Sequence, residues 1–207
     1  MAQAHDNAPD HPVHYQVPEL TDSLEASLRS ADLITTDRGR TLDFHGRRPS
    51  LDEVWALLAQ VADPEVPVVS VVDLGIVREL VWAKEVLQVY ITPTYSGCPA
   101  TELIESEIKL ALMQAGIAQV SMHQRISPAW TTDWITAQGR AKLKAYGIAP
   151  PEGSASKAAL FGQVQEVTCP HCNSQNTQRI SDFGSTACKS LYKCNACLEP
   201  FEYFKCI

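Results

Sequence analysis

The chain has 207 residues, 45% hydrophobic and 20% charged, enough for one ordinary core and a small satellite domain. Its formal charge of -7 weighs against a nucleic-acid partner, because no basic face is evident that would displace counterions from phosphates. No apolar run approaches the roughly 20 residues of a membrane helix, and Met1-Ala2-Gln3-Ala4-His5-Asp6-Asn7 lacks the regions of a secretory signal, so no membrane is expected as a partner and cytoplasm is the default compartment.

Residues 1–48 carry prolines, histidines and scattered charges with one weak helical stretch near 20–33, and are expected to form a flexible extension. A helix is predicted from Ser50, where Ser50-Leu51-Asp52-Glu53 reads as a capping box ahead of the stripe Leu51, Val54, Trp55, Leu58 and Val61; Asp63-Pro64 is expected to end it. Residues 76–82 and 86–92 read as a hairpin with the tip Ala83-Lys84-Glu85. Residues 99–115 read as a helix stopped by Gly116, residues 117–126 as a third strand, and residues 132–146 as a helix carrying Trp134, Ile135 and Leu143 and stopped by Gly147. The order helix, two strands, helix, strand, helix fits a two-layer α+β domain at 49–148. Pro150-Pro151 and Gly153-Ser154-Ala155-Ser156 mark a linker over 149–166 that leads to a small domain at 167–207.

That last segment holds the strongest chemical signal. Cys169-Pro170-His171-Cys172 and Cys194-Asn195-Ala196-Cys197 are two clips that together supply the four thiolates of a tetrahedral site. The reading is a structural zinc ribbon, although iron, or two redox dithiols, would use the same residues. Seven cysteines in all, grouped in clips, suit metal binding in a reducing compartment better than a disulfide framework. From Cys169 onward Arg179, Lys189, Lys193 and Lys205 barely outnumber Asp182, Glu199 and Glu202, so a protein surface is the expected partner of the ribbon.

A second cysteine site is predicted at Thr92-Pro93-Thr94-Tyr95-Ser96-Gly97-Cys98-Pro99, where a strand gives way to a helix. Amides at a helix N-terminus favour an anionic atom there, and Gly97 permits close approach to the backbone. Glu65 and Asp73, in the loop before the hairpin, are within reach of the Cys98 mouth on this reading; the alternative is that such acids accept backbone hydrogen bonds in turns. His123 on a strand reads as structural, and Trp130 and Trp134 read as core residues first and a docking surface second. Cys188 and Cys206 lie outside the clips and read as a packing residue and a tail thiol before they read as ligands.

Asp-Pro-Glu-x-Pro at 63–67, Asp-Leu-Gly at 73–75 and Gly-Cys-Pro at 97–99 resemble the small domain of a family of iron–sulfur cluster assembly proteins. Thr-Pro-Thr-Tyr-Ser-Gly-Cys-Pro-Ala-Thr-Glu at 92–102, Pro-Ala-Trp-Thr-Thr-Asp-Trp at 128–134, Phe-Gly-Ser-Thr-Ala-Cys-Lys at 183–189 and Glu-Pro-Phe-Glu-Tyr-Phe-Lys-Cys-Ile at 199–207 resemble the D subunits of bacterial phenylacetyl-CoA epoxidases, over about Pro49 to the end. The resemblance implies an iron–sulfur-assembly-type α+β domain with a C-terminal zinc ribbon. It implies a non-catalytic accessory role in aerobic phenylacetate degradation, maturing a metal centre of the multicomponent oxygenase: the cluster of its iron–sulfur flavin reductase, or else the di-iron subunit. Cys98 would then be a transient ligand for iron or a cluster, with Asp73 and Glu65 shaping its mouth and the ribbon docking a partner. A scaffold, or a required component of the assembled oxygenase, is the competing reading. The chain offers no Glu-x-x-His pair for a di-iron site, no Gly-rich nucleotide loop and no Cys–His pairing legible from spacing.

Overall fold

A computed structural model describes residues 43–95, 97–151 and 167–205. The expectations placed on 1–42, Ser96, 152–166 and Cys206 lie outside the described residues. Helix α1 (Leu51–Leu58) begins at the capping box: Ser50 Oγ accepts from the Glu53 amide, and the Glu53 carboxylate accepts from the Ser50 amide. Arg47 grips the same carboxylate with two hydrogen bonds of 2.7 and 2.9 Å. The helix stops short of Asp63 because its last turn tightens, with the Gln60 and Val61 amides reaching back only three residues to Leu57 and Leu58. Val54, Leu57 and Leu58 face the core, whereas Leu51 is exposed.

Strands β1 (Val77–Ala83) and β2 (Val86–Ile91) form the expected antiparallel hairpin, turning at Lys84 and Glu85. Helix α2 (Thr101–Gln114) then crosses over to β3 (Val120–Gln124), which lies parallel to β2, giving a mixed sheet of order β1-β2-β3. Leu87, Val89 and Ile91 alternate along β2 and are fully buried in one core with Leu58 of α1 and Ile108 and Leu112 of α2. Each such side chain removed from water contributes about 1.5–3 kcal/mol. Gly116 follows α2 at φ +94°, where a Cβ would stand 2.8 Å from the His45 nitrogen. The reason lies upstream: Phe44, assigned by sequence to the extension, is 1% exposed, and its amide donates to the Ala115 carbonyl at 2.7 Å.

The helix expected over 132–146 is divided. A single 3₁₀ turn covers Thr132–Trp134, Ile135 is extended, and α3 (Ala137–Tyr146) starts afresh at Thr136, whose hydroxyl accepts from the Gly139 amide. The break lets the Thr136 amide donate to the Asp73 carbonyl at 2.9 Å, so a tertiary bond overrides helical continuity. Trp130 is core, with its indole N–H donating to the Leu74 carbonyl at 2.9 Å, and Trp134 lies under the Arg78 guanidinium. His123 stacks on Tyr90.

After Gly147 the chain enters β4 (Ile148–Ala149), which pairs parallel to β7 (Pro200–Phe204). With β6 (Lys189–Cys194) and β5 (Thr177–Ser181) these make a sheet of order β4-β7-β6-β5. The ribbon sheet has a small core of its own, including Val167, Phe201 and Tyr203. Its far end belongs elsewhere: Cys188 and Phe204 are buried in the main core, with the Phe204 ring 6.1 Å from Trp130.

Candidate functional site

The two clips meet at the end of the ribbon. In the first, the Cys169 amide donates to Ser174 and the Asn173 amide to Cys169; in the second, the Cys194 amide donates to Glu199. The residue after each clip, Asn173 and Leu198, is left-handed at φ +59° and +68°. For a bulky Leu this conformation costs about 1–2 kcal/mol, so the turn is imposed by the cage it closes. Strand pairing places Thr177 opposite Cys194, and Asn195 binds Asn176 by both amide and side chain, which brings the clips face to face.

All four sulfurs lie within 4.8 Å of one another, with Cys169 to Cys197 at 3.8 Å and Cys172 to Cys194 at 3.5 Å. A tetrahedral site with metal–sulfur bonds of about 2.3 Å needs sulfurs roughly 3.8 Å apart, so the donor set fits one metal ion. Electrostatics agrees. The Cys197 amide and then the Ala196 amide lower the Cys194 thiol to about 6. Cys197 accepts from the Glu199 amide, yet desolvation and the three neighbouring sulfurs push it up to about 12. Holding all four sulfurs as thiolates at these separations would require a cation among them.

The Cys98 site is built differently. Its floor is the loop between α1 and β1. Asp63 Oδ1 accepts from the Glu65 and Val66 amides at 3.0 and 2.8 Å, as a turn-forming carboxylate does. Asp73 corrects the expectation that it shapes the Cys98 mouth. Its carboxylate accepts from the Ser70 amide, the Thr136 hydroxyl and the Lys142 ammonium, at 3.0, 3.2 and 2.7 Å, and it is not among the residues lining the pocket. Burial raises its pKa, but the Lys142 and Ser70 hydrogen bonds prevail and hold it below the ordinary value. The Asp73-Leu74-Gly75 motif is therefore a staple between the loop and α3. Gly75 completes it at φ +65°, where a Cβ would stand 2.7 Å from both the Trp134 Cβ and carbonyl oxygen.

Cys98 lies in the turn ahead of α2, which begins at Thr101 and not at Pro99: its amide donates to Tyr95 and its carbonyl accepts from Thr101. It is half-buried and opens on a partly enclosed pocket of about 20 Å³ shared with Asp63, Glu65, Thr94 and Thr101. Gly97, at φ +82°, has open space where a side chain would be, so the approach is unobstructed there. The pocket wall also holds Cys188, just before the ribbon's β6, which the sequence ranks as a packing residue ahead of a ligand; it is buried, and sequence alone gives no sign that it shares a pocket with Cys98. The nearest signal is the alternation in Phe201-Glu202-Tyr203-Phe204, which marks only a strand with an inward face.

Burial raises Asp63, Glu65 and Cys188 above their ordinary values, Glu65 further because Asp63 stands beside it. The Tyr95 phenol rises to about 12, first through desolvation and then through the Cys98 sulfur. The pocket thus favours the protonated forms of Asp63, Glu65 and Cys188. Among the described residues the ribbon cysteines are the group whose donors all lie within 4.8 Å, whereas the pocket's donors surround a void.

The fold and these donor groups define an iron–sulfur-assembly-type α+β core with a metal-binding β-ribbon appended. Residues 51–121 match the iron–sulfur cluster assembly protein family, and residues 153–205 match the PaaD zinc beta ribbon domain. The chain is 50% identical over 159 residues, 77% of its length and 94% of the relative's, to a protein of Escherichia coli K12 named as the D subunit of 1,2-phenylacetyl-CoA epoxidase. It belongs to that family of D subunits. Over 94 residues, 44% of this chain, it is 28% identical to an Fe-S protein maturation auxiliary factor of Porphyromonas gingivalis (89% of that protein) and 30% identical to the corresponding factor YitW of Bacillus subtilis (91%). No helix of the described residues is long and apolar enough to cross a membrane.

Proposed function

We propose that the chain is an accessory subunit of the phenylacetyl-CoA epoxidase system that matures a metal centre of the complex and takes no part in the epoxidation. The observation that carries this reading is the pocket at Cys98, where a half-buried thiol opens on a small space beside Glu65 without a closed ligand set around it. A resident cluster takes about four ligands; a site that leaves coordination positions free suits metal that arrives and departs. Kinship with the D subunit of Escherichia coli and with Fe-S maturation auxiliary factors supports the same reading.

Within this proposal iron or an iron–sulfur unit is cargo, Cys98 is its thiol ligand, and Glu65 is a carboxylate beside it. Asp73 acts at a distance by fixing the loop that carries Glu65. Zinc is the metal assigned to Cys169, Cys172, Cys194 and Cys197; when bound it supplies the cross-link that a ribbon with so small a core needs. The partner served is the iron–sulfur flavin reductase, with the di-iron oxygenase subunit next in line, and the setting is cytoplasmic. The test is the iron and labile sulfide content of the reductase purified from cells expressing it with or without this chain. A clear fall without the chain is expected. Equal occupancy, together with unchanged iron in the di-iron subunit, would overturn maturation in favour of a scaffold.

A further inference from the structure

We infer that the ribbon completes the Cys98 site by lending it a second thiol, Cys188, and that the guest held between Cys98, Cys188 and Glu65 is a single divalent cation and not a polynuclear cluster. The inference rests on the maturation reading for its biological meaning, but its chemistry is independent of it.

Three observations carry it. The first is placement. Cys98 precedes α2 in the assembly-type domain and Cys188 precedes β6 in the ribbon, yet both line the same pocket, and Cys188 is only 3% exposed. The pairing is held rigidly: the Lys205 amide donates to the Cys188 carbonyl at 2.9 Å, Thr186 Oγ1 lies 3.0 Å from the Cys188 sulfur, and Phe204 beside it is sunk into the main core. A ribbon needed only to bind a partner would have no cause to turn a thiol inward onto the other domain's cysteine.

The second is donor chemistry. Glu65 takes no hydrogen bond or ion pair on its carboxylate from the described residues, although its backbone amide is engaged by Asp63. Lys189, whose charge reaches Glu65, is committed to Glu202 at 2.8 Å. Two thiols and a free carboxylate facing one space form a mixed sulfur–oxygen set suited to a borderline divalent ion such as Fe²⁺ or Zn²⁺. Burial favours the protonated forms of Glu65 and Cys188, so a cation entering would displace protons from them as it binds.

The third is size. The space is small, with about 20 Å³ open to the centres of water-sized spheres, and a single divalent ion, itself smaller than a water molecule, enters it readily. One ion fits that space with modest side-chain movement. A cluster of several iron and sulfide atoms is larger and would press on the pocket wall, to which Cys188 and Phe204 of the ribbon belong.

The test uses the full chain with its ribbon cage already filled with zinc, titrated anaerobically with Co²⁺, whose thiolate charge-transfer absorption reports sulfur ligation. One further equivalent is expected in the unaltered chain. Binding should weaken tenfold or more in Cys188→Ser and in Cys98→Ser, with the charge-transfer band lost in the double variant and the zinc content unchanged in all. Cys188→Ser nearly preserves side-chain volume, and its unfolding midpoint checks that the ribbon still packs. Cobalt bound equally well by Cys188→Ser would remove the ribbon from the site while leaving the maturation reading standing. Reconstitution with Fe²⁺ and sulfide should add one iron and no acid-labile sulfide per chain; labile sulfide that depends on Cys98 and Cys188 would overturn the single-ion inference. Tight, Cys188-dependent binding by a chain that leaves reductase iron unaffected would uphold the site and sink the maturation reading instead.

Discussion

The ribbon cage and the Cys98 pocket use the same element, sulfur, in opposite ways. In the cage all four donors come from two tight clips of the ribbon, sit within 4.8 Å of one another and are followed by turns that hold Asn173 and Leu198 in left-handed backbone. In the pocket the two thiols come from different parts of the chain and line one small space with Glu65, whose carboxylate has no partner among the described residues. The cage uses local backbone strain to make one state of the ribbon. The pocket's donors surround a space and are not drawn together, so on the proposed reading no single guest is required for the fold. Permanence and exchange are therefore separable by mutation.

The largest effect should come from the cage. The ribbon's own core consists of little more than Val167, Phe201, Tyr203 and the two fully buried cysteines, Cys169 and Cys194. Structural zinc sites contribute apparent binding free energies of roughly 10–16 kcal/mol, far more than such a core supplies. Cys194→Ser, or removal of metal by a strong chelator, is expected to unfold β5 to β7, read as loss of one metal per chain and of the near-ultraviolet dichroism of the packed Tyr192, Phe201 and Tyr203 rings. Cys98→Ser should leave both readings unchanged. A ribbon that keeps its dichroism without metal would erase the contrast.

Next in size is the staple beneath the pocket. Gly75→Ala places a Cβ 2.7 Å from Trp134 at a backbone angle that alanine avoids, and is expected to cost about 2–4 kcal/mol in urea unfolding, the range of combined strain and overpacking. Asp73→Asn keeps the shape but loses the charge that meets Lys142, for about 1–3 kcal/mol. Its pH signature follows from linkage. The folded-state pKa of Asp73 lies below the ordinary 3.8, so its contribution is complete above 3.8 and is lost as pH falls through the lower folded value. The variant should therefore lose its deficit relative to the unaltered chain in strong acid, where both carry a neutral side chain.

These residues also show what a sequence conveys. Features set within a few residues are legible: the Ser50–Glu53 box, the hairpin tip at Lys84-Glu85, the stops at Gly116 and Gly147, and the two clips all appear where local spacing puts them. What escapes is set by partners far away. Asp73 reads as a site residue because it stands in the loop before the hairpin and within a family motif, but its role is decided by Lys142, sixty-nine positions later. Thr136 caps a helix inside a stretch that reads as continuous because its amide is claimed by Asp73. Cys188 carries no motif of its own, and its meaning comes from the docking of Phe204 into a core built from elements far upstream, which no local pattern encodes.

The smallest effect on stability, and the sharpest use of the comparison, belongs to Glu65. Burial first and Asp63 second raise its pKa above the ordinary 4.5, so the folded chain holds this proton more firmly than the unfolded one. Folding is then favoured by the group in acid and opposed by it as pH rises past 4.5 toward the folded value, the reverse of Asp73. Glu65→Gln removes the ionisation and breaks no hydrogen bond between the carboxylate and the described residues. It should leave the unfolding free energy at pH 7 within about 0.5 kcal/mol of the unaltered chain, or slightly above it, and flatten the pH dependence just above 4.5. Cobalt affinity at the pocket should nevertheless fall, because a neutral amide is a poorer ligand for a divalent cation than a carboxylate. A residue that costs the fold nothing and the metal a great deal is what an exchange site requires. If Glu65→Gln instead destabilised the chain by more than about 1–2 kcal/mol, Glu65 would join Asp73 as a structural carboxylate, and the pocket would have to work with its two thiols and Asp63 alone.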